Sequence, residues 1–360
     1  MKKKTLAKRI VCIVLVLIVA ALGVLGGMFF QEGKTLLSVK ANEEVGMYEV
    51  NYTADYKLDE LLEAGGVTTE DELAQYVIKV MLKGLPINVE YEVPQLACST
   101  FIAQQPEGGY IFGRNLDNQE TDFAVVRTAP KNGYASVSVV NLSFLGYNEE
   151  LKPVKLFDKI NMLALPYFPL DGMNEKGLAV GVLQLQAPPT NQTSDKVDVD
   201  TTLAIRVLLD KCATVSEAVE MLRSFDMHAS ANGCYHLQIA DAEGNSVVVS
   251  YVENEMVVTE KEGDYQCATN FYLCDVPFEY EEQGKDRFDK LTEVLTREKG
   301  VRSVADGMEL LHYVNIVSTE PDEEGRVYST QWSSIYDLKN MTLTLCSDRN
   351  YDTKYEFPVK

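Results

Sequence analysis

Three residues capable of chemistry stand close together in the sequence: Cys98, Arg114 and Asp117. The cysteine follows Leu96-Ala97, a possible cleavage point, and the arginine and aspartate come sixteen and nineteen residues after it. A cysteine acts as a nucleophile through its thiolate, whereas a buried cysteine is more often a small apolar packing residue. We interpret Cys98 as a catalytic nucleophile and the residues before it as a leader.

The residues after Cys98 are predicted to form strands first, then helices, then strands again. A hairpin is expected around Pro106-Glu107-Gly108-Gly109, whose residue types are typical of tight turns. Further strands are predicted at 135–142, 178–185, 235–240, 246–252, 329–337 and 341–346, and helices at 201–211, 215–225 and 304–314. This order favours an α+β architecture with mainly antiparallel sheets. Residues 98–360 are predicted to form one domain.

The first 30 residues are predicted to be a membrane anchor or signal. A basic segment at residues 2–9 precedes an uninterrupted apolar run at 10–30, which is long enough to span a bilayer. The basic end stays on the cytoplasmic side, so the rest of the chain is expected to be extracytoplasmic and anchored by this helix. Cleavage after Val39-Lys40-Ala41 is the alternative, and it would release a secreted protein.

Residues 31–97 are predicted to form a tether and a pro-segment with one capped helix. Residues 31–46 are polar, which is typical of a tether, and 47–52 alternate like a short strand. Thr69-Glu70-Asp71-Glu72 is a capping box, and the apolar helical face that follows consists of Leu73, Val77, Val80 and Met81. Such a face must pack on another surface, so we expect this piece to dock on the main domain.

The composition excludes several classes of function. The net charge of −21 repels phosphate backbones, which argues against a nucleic-acid partner. The seven cysteines and three histidines show no spacing typical of a metal site, so neither a metal nor another cofactor is expected. The main domain is also large enough to need no disulfides.

Six short motifs follow one another along the main domain: Cys98-Ser99-Thr100-Phe101, Gly113-Arg114-Asn115-Leu116-Asp117, Asp171-Gly172-Met173-Asn174-Glu175-Lys176-Gly177-Leu178, Ala268-Thr269-Asn270, Asp286-Arg287-Phe288 and Thr330-Gln331-Trp332. In this order they resemble the motifs of the choloylglycine hydrolase family of N-terminal-nucleophile (Ntn) hydrolases. This family of linear amide C–N hydrolases includes bile salt hydrolases and penicillin V acylases and, more distantly, acid ceramidase and N-acylethanolamine acid amidase. The resemblance implies a four-layer αββα sandwich.

The resemblance also implies a mechanism that begins with scission of the Ala97–Cys98 bond. An N-terminal cysteine carries its own base, because a free α-amine has a reference pKa of about 8, so no histidine is required. By resemblance, Arg114 lies beside the thiol and favours the thiolate, and Asp117 orients the α-amine. Residues 114 and 117 of one strand point to opposite faces, so a turn or bulge near Asn115 is expected to bring both inward.

Three further positions receive roles from the resemblance. Asn270 corresponds to an oxyanion donor, worth about 3 kcal/mol in comparable sites, and Arg287 to a second arginine near the acyl group. Gln184 stands where bile salt hydrolases have an asparagine and penicillin V acylases a tyrosine, and it can still bind substrate by donating to the oxyanion. The alternatives are a surface ion pair for Arg114 and Asp117, a turn residue for Asn270 and an ordinary helix position for Arg287.

These observations predict an exported cysteine amidase that hydrolyses the linear amide bond of a small N-acyl substrate through an acyl-thioester on Cys98. The pro-segment is expected to stay associated after scission, and the N-terminal helix to bind the membrane. Two alternatives stay open. One is an acyltransferase of the same fold, which passes the acyl group to an amine, and the other is a catalytically inactive extracellular binding domain.

Overall fold

Two β-sheets stacked face to face form the centre of the structure, a computed structural model that describes residues 26–81, 83, 97–317, 321 and 327–360. The strands are β1 (Lys40–Asn42), β2 (Met47–Tyr52), β3 (Ala97–Gln104), β4 (Tyr110–Asn118), β5 (Phe123–Thr128), β6 (Ser136–Asn141), β7 (Asp171–Asn174), β8 (Ala179–Leu185), β9 (Val197–Asp200), β10 (Phe225–His228), β11 (Cys234–Ala240), β12 (Ser246–Val252), β13 (Glu255–Glu260), β14 (Gln266–Ala268), β15 (Ser329–Asp337), β16 (Thr342–Ser347) and β17 (Tyr355–Pro358). The helices are α1 (Phe30–Ser38), α2 (Leu58–Glu63), α3 (Glu70–Met81), α4 (Thr201–Lys211), α5 (Val215–Arg223), α6 (Lys285–Arg297) and α7 (Val304–Tyr313), with 3-10 helices at Glu43–Val45, Leu142–Leu145, Ile160–Tyr167 and Ser230–Asn232.

The larger sheet has nine strands in the order β1-β2-β5-β6-β7-β8-β11-β12-β13, and the smaller has six in the order β14-β3-β4-β15-β16-β17. All neighbours in the smaller sheet are antiparallel. In the larger sheet β2 and β5 run parallel and the other pairs run antiparallel. Strands β9 and β10 form a separate parallel pair. The predicted α+β class with mainly antiparallel sheets is confirmed.

Helices cover the outer face of each sheet. Helices α4 and α5 pack on the nine-stranded sheet, and α6 and α7 pack on the six-stranded sheet. The apolar residues between the smaller sheet and its helices form their own cluster, which includes Phe101, Ile111, Leu291, Leu311 and Ile335. The order of layers is therefore helix, sheet, sheet, helix, which agrees with the expected αββα sandwich.

Strands β3 and β4 form a regular antiparallel ladder, and the bulge expected near Asn115 is absent from it. Their register pairs Ala97 with Asp117, Cys98 with Leu116, Ser99 with Asn115, and Thr100 with Arg114. The irregularity lies instead on the neighbouring strand β15, between Thr330 and Trp332. Side chains alternate along a regular strand, so Arg114 and Asp117 stay on opposite faces of the sheet. The prediction of a bulge was wrong. The site uses both faces of the sheet, so Arg114 and Asp117 do not need to point to the same face.

Residues 30–81, which precede Cys98, are part of the fold, and the interpretation of residues 31–46 as a polar tether was wrong. Helix α1 buries Thr35 and Leu36, and β1 pairs with β2 at the edge of the nine-stranded sheet. Strand β2 then pairs along its whole length with β5 of the main domain. Within this mostly polar stretch Thr35, Leu36 and Val39 are buried, and the other residues are exposed or half-buried.

The predicted capped helix is present as α3. The Thr69 hydroxyl accepts from Glu72 N at 3.3 Å, and the Glu72 carboxylate reaches back to Thr68 N at 2.8 Å, one residue before the cap. Leu73, Ala74, Val77 and Met81 are buried. The helix therefore docks by its apolar face.

The described part of the chain begins at residue 26, so residues 10–25 of the predicted membrane anchor at 10–30 lie outside it. Helix α1 begins at Phe30, where the apolar run ends. Among the residues that the structure describes, none of the helices combines the length and apolar character that crossing a bilayer requires.

Candidate active site

The Cys98 thiol lies fully buried between the two sheets. Arg114, on the neighbouring strand and on the same face, donates from Nη2 to Cys98 Sγ over 3.5 Å. Burial raises the pKa of the Cys98 thiol to about 11, and the positive charge of Arg114 opposes this only in part. In the intact chain the thiol is therefore protonated at neutral pH, so the expected thiolate needs a base or a change in its surroundings.

The guanidinium of Arg114 is held by the opposite sheet. Its Nε forms an ion pair with Asp171 Oδ2 at 2.7 Å, and its Nη1 donates to Val182 O at 2.5 Å. A Cβ atom on Gly181 would lie 3.1 Å from Nη1, so the glycine leaves the space that the guanidinium occupies. The third nitrogen, Nη2, is the one aimed at the thiol.

Asp171, at the start of β7, is fully buried and has partners on both carboxylate oxygens. Tyr336 OH donates to Oδ1, and Trp332 Nε1 donates to Oδ2 over 3.4 Å. Burial raises the pKa of the Asp171 carboxyl, whereas Arg114 and the two side-chain donors act in the opposite direction. The ionised carboxylate is the form whose two oxygens can accept from all of these groups.

On the other face of the six-stranded sheet, Arg287 holds the backbone around Cys98. Helix α6 places this arginine, which is almost completely buried, so that Nη1 donates to Cys98 O at 2.6 Å and to Ser99 Oγ at 2.9 Å. The same nitrogen lies 3.1 Å from Asp117 Oδ2. Arg287 thus joins the helix layer to the first residues of β3.

Asp117 is the acidic group beside this backbone. It is fully buried, and its Oδ1 accepts from Thr330 Oγ1 at 2.5 Å while Oδ2 faces Arg287. Burial raises the pKa of the Asp117 carboxyl, and the Arg287 charge and the Thr330 hydroxyl oppose that rise. Asp117 also lies directly opposite Ala97, the residue before the nucleophile.

Asn270 contacts the peptide nitrogen of Cys98. Its Oδ1 accepts from Cys98 N at 2.8 Å and from Arg287 Nη2 at 2.9 Å. Its Nδ2 donates to the backbone oxygen of Gln184 at 2.8 Å. Two donors on one side and a carbonyl on the other fix which end of the amide faces the cysteine. In the intact chain the Asn270 oxygen, and not its nitrogen, is thus directed at Cys98.

A buried histidine supports the segment that carries Asn270. His236 lies on β11 and shares a 2.7 Å hydrogen bond between Nε2 and Thr269 O. Because that carbonyl only accepts, Nε2 is the protonated nitrogen. Burial lowers the pKa of His236 to about 4, so the ring is neutral and its hydrogen bond orients the backbone.

The structure brings together five residues that the sequence marked as catalytic: Cys98, Arg114, Asp117, Asn270 and Arg287. Gln184 reaches this group through its backbone carbonyl, so its predicted role as an oxyanion donor, like the roles of the other five, stays a prediction. Sequence reasoning gave no role to Ser99, Asp171 and Thr330, although all three belong to the motifs that carried the resemblance. Their place in those motifs was the signal available in the sequence.

The arrangement suits acyl transfer by a thiol. One charged group lies at the sulfur, and a second charged cluster lies at the backbone of the same residue. Among the described residues, no group of histidine, cysteine and acidic side chains is placed to hold a metal ion.

Residues 105–352 match the acyl-coenzyme A:6-aminopenicillanic acid acyl-transferase family. The chain belongs to this family. The matched residues begin just after β3, and they include Arg114, Asp117, Asn270 and Arg287 but not Cys98. A penicillin V acylase from Pectobacterium atrosepticum is 32% identical over 111 residues. That match spans 28% of this chain and 29% of the acylase, so the chain aligns with less than a third of the relative's length.

Solved structures with the same fold include two variants of the conjugated bile acid hydrolase from Clostridium perfringens. The first has a TM-score of 0.53 at 17% identity, and the second has a TM-score of 0.51 at 18% identity. Each comparison covers 72% of this chain and 92% of the hydrolase. The predicted relationship to the choloylglycine hydrolase and penicillin V acylase family, and the predicted Ntn-hydrolase fold, are confirmed.

Proposed function

We propose that the protein is a cysteine amidase that cleaves the linear C–N bond of a small N-acyl substrate through an acyl-thioester on Cys98. One observation carries this proposal: Arg114 contacts the thiol of Cys98, while Arg287 and Asn270 bind the backbone of the same residue. A cysteine that only fills space needs neither set of contacts. The family relationship supports the same reaction class.

The first proposed step is scission of the Ala97–Cys98 bond. The thiolate of Cys98 attacks the carbonyl carbon of Ala97, and the bond between that carbon and Cys98 N breaks. The acyl group moves to sulfur, and nitrogen takes up a proton to become the α-amine. Water then hydrolyses the thioester, which leaves a carboxylate on Ala97 and a free thiol. Asn270 Oδ1, already 2.8 Å from Cys98 N, is placed to accept from the new amine.

In the second step the α-amine acts as the base. It takes the thiol proton, the sulfur attacks the amide carbon of the substrate, and the leaving amine receives the proton. Water releases the acid from the thioester with the amine again as base. Arg114 stabilises the thiolate, and Asp117 with Arg287 holds the backbone that bears the amine. Asn270 Nδ2 serves as oxyanion donor when it leaves the Gln184 carbonyl, which the substrate can displace.

We infer that the leader fragment stays bound after scission. Strand β2 supplies six residues paired with β5, and the Tyr52 and Tyr56 hydroxyls donate to Leu163 O at 2.7 Å and to Asp210 Oδ2 at 2.6 Å. Cutting one peptide bond removes none of these contacts. The fragment would behave as a second subunit.

Export with membrane anchoring is part of the same proposal. It rests on the basic segment at residues 2–9 and the apolar run at 10–30. Fractionation of cells with a protease applied from outside tests it, since an exported body is digested while the cells stay intact.

A second candidate function is that of an acyltransferase, because the matched family is named after an acyl-transferase. The same thioester would then pass its acyl group to an amine instead of water. Incubation with an acyl donor and an amine acceptor separates the two, since the acyltransferase yields a new amide where the amidase yields the acid.

Intact-mass analysis and N-terminal sequencing test the proposal directly. The wild-type chain should yield a fragment that begins at Cys98, whereas Cys98→Ala should stay uncut. The cut protein should hydrolyse members of a panel of acyl amides that includes penicillin V, conjugated bile acids, acyl homoserine lactones and acylethanolamines. An uncut wild-type chain with no turnover of any of them would favour the inactive binding domain.

A further inference from the structure

One side of the Arg114 guanidinium faces the thiol of Cys98, and the other side is held by an ion pair with Asp171. Cys98 and Arg114 belong to the six-stranded sheet, whereas Asp171 belongs to the nine-stranded sheet. The 2.7 Å ion pair between Arg114 Nε and Asp171 Oδ2 therefore joins the two sheets directly behind the nucleophile. Both side chains are completely buried, so water cannot replace either partner.

We propose that Asp171 is a positioning residue for the thiol chemistry of Cys98, which it controls by aiming the Arg114 guanidinium. The proposal rests on the proposed function above, because it assigns Asp171 a part in that reaction. Arg114 is a long side chain with several rotamers. Ion pairing at Nε, together with donation from Nη1 to Val182 O, leaves one orientation in which Nη2 points at Sγ.

Asp171 is itself locked by two aromatic side chains of β15. Tyr336 OH donates to Oδ1, while Trp332 Nε1 and the arginine share Oδ2. Donors surround both oxygens, so an asparagine cannot replace the aspartate. Its amide nitrogen would face a donor on one side or the other. Asp171→Asn is therefore expected to release either the tyrosine or the arginine.

Two effects of Asp171 on the thiol have opposite signs, and the experiment can separate them. As a negative charge, Asp171 raises the pKa of Cys98, so its loss alone would lower that pKa. As a positioning residue, it keeps a positive charge 3.5 Å from sulfur, so its loss would raise the pKa. We expect positioning to dominate because Arg114 contacts the sulfur directly.

The chain contains a matched control in the ion pair between Arg206 and Asp210. Asp210 is also a buried carboxylate with an arginine at 2.7 Å and a tyrosine hydroxyl, from Tyr56, at 2.6 Å. Asp210→Asn removes the same chemistry from a site that the mechanism does not use. It reports what losing such a pair costs the fold alone.

The test follows scission of freshly refolded full-length chain by intact mass from pH 6 to pH 10. Asp171→Asn should cut roughly 100-fold more slowly, the usual order for a misplaced catalytic group, and its pH profile should move to higher pH. Asp210→Asn should keep the wild-type profile. A profile for Asp171→Asn that equals the wild type, or that moves to lower pH, would overturn the proposal.

Tyr336→Phe provides a second test if Asp171→Asn does not fold. This variant removes the hydroxyl that donates to Asp171 Oδ1 and keeps the ion pair between Asp171 and Arg114. Scission should slow by about 3- to 10-fold, the effect of one weakened hydrogen bond. The pH profile of scission should again move to higher pH. A wild-type profile for this variant would overturn the proposal. If the wild-type chain itself is never cut, the proposed function fails, and the role of Asp171 falls with it.

Discussion

Arg114 and Asp117 lie three residues apart on one regular strand and act on opposite faces of the same sheet. Arg114 contacts the Cys98 sulfur between the sheets, and Asp117 lies with Arg287 and the Cys98 backbone beneath the helices. Because a sheet is a single layer of strands, the side chain of Cys98 can be contacted from one face while its backbone is contacted from the other. Because the two residues are an odd number of positions apart, Arg114 contacts the sulfur of Cys98 directly, whereas Asp117 pairs with the arginine that holds the Cys98 backbone.

The rate of scission of the Ala97–Cys98 bond should increase as the pH rises. With a thiol pKa of about 11 in the intact chain, the thiolate fraction rises by about tenfold per pH unit below that value. We expect the scission rate to follow it between pH 6 and pH 9. A time course of intact mass measures the rate, and circular dichroism at each pH shows that the fold is unchanged. A rate that is flat or falling over this range would contradict attack by a free thiolate.

Arg287→Lys should slow scission by roughly 100-fold, as expected for the loss of oriented donors at a reacting group. One guanidinium bonds to Cys98 O, Ser99 Oγ, Asp117 and Asn270 Oδ1, whereas an ammonium cannot span these positions. The rate of appearance of the fragment beginning at Cys98 measures the effect.

Arg302→Lys is the matched control for Arg287→Lys. Arg302 is also largely buried, but its partner is Glu298 at 2.9 Å, where a lysine can keep the ion pair. This variant should cut at close to the wild-type rate. Equal rates for both variants would show that the fork geometry of Arg287 is not needed.

Gly284→Ala should both destabilise the fold and impair the site. Gly284 precedes α6 at a φ of +74°, a conformation that costs an alanine about 1–2 kcal/mol. Its Cβ would also lie 2.5 Å from Arg287 Nη2. We expect a lower free energy of unfolding in urea and a scission rate reduced about tenfold by the displaced arginine.

Gly263→Ala separates the two effects. Gly263 has a φ of +77° and open space around its Cβ position, so it shares the backbone strain without the clash. This variant should lose a similar free energy of unfolding and cut at the wild-type rate. Slow cutting by Gly263→Ala would mean that lost stability, and not Arg287, explains the defect.

Val50→Asp should detach the leader fragment. Val50 is fully buried on β2 opposite Val126, so an unpaired charge there is expected to cost at least about 3 kcal/mol. After scission, size-exclusion chromatography should show the fragment separating from the main domain. Asn51→Asp is the control, because the exposed Asn51 faces Arg127 and tolerates a negative charge. Its fragment should co-elute, and co-elution of the Val50→Asp fragment would show that β2 does not hold the leader.

Local patterns in the sequence predicted many elements of the main domain, but not strands β5, β13, β14 and β17. The hairpin of β3 and β4, the helix α4 and the closing hairpin of β15 and β16 all occur where turn residues and periodicity placed them. Pairing between β2 and β5 could not be predicted this way, because the local sequence of one strand carries no information about a parallel partner 76 residues away.

The candidate site was predicted in its residue types but not in its geometry. Arg287 sits in a helix with an ordinary apolar stripe, so only its burial reveals that it points at β3. Asp171 belongs to one of the six motifs, but its contact with Arg114 depends on how the two sheets stack. Such contacts depend on the packing of distant elements and not on sequence spacing.

The parallel pairing of β2 with β5 has a consequence for how the protein withstands damage. Before scission the strand is tethered to its partner, and refolding after a transient unfolding event involves one chain. After the proposed scission the same strand would belong to a separate molecule, so recovery would require two chains to meet and would depend on concentration. If the leader is anchored in the membrane as proposed, the unfolded main domain would diffuse away from it, and a single global unfolding event would then be final. Cutting Ala97–Cys98 would therefore activate the protein and also make its lifetime depend on the rate of unfolding.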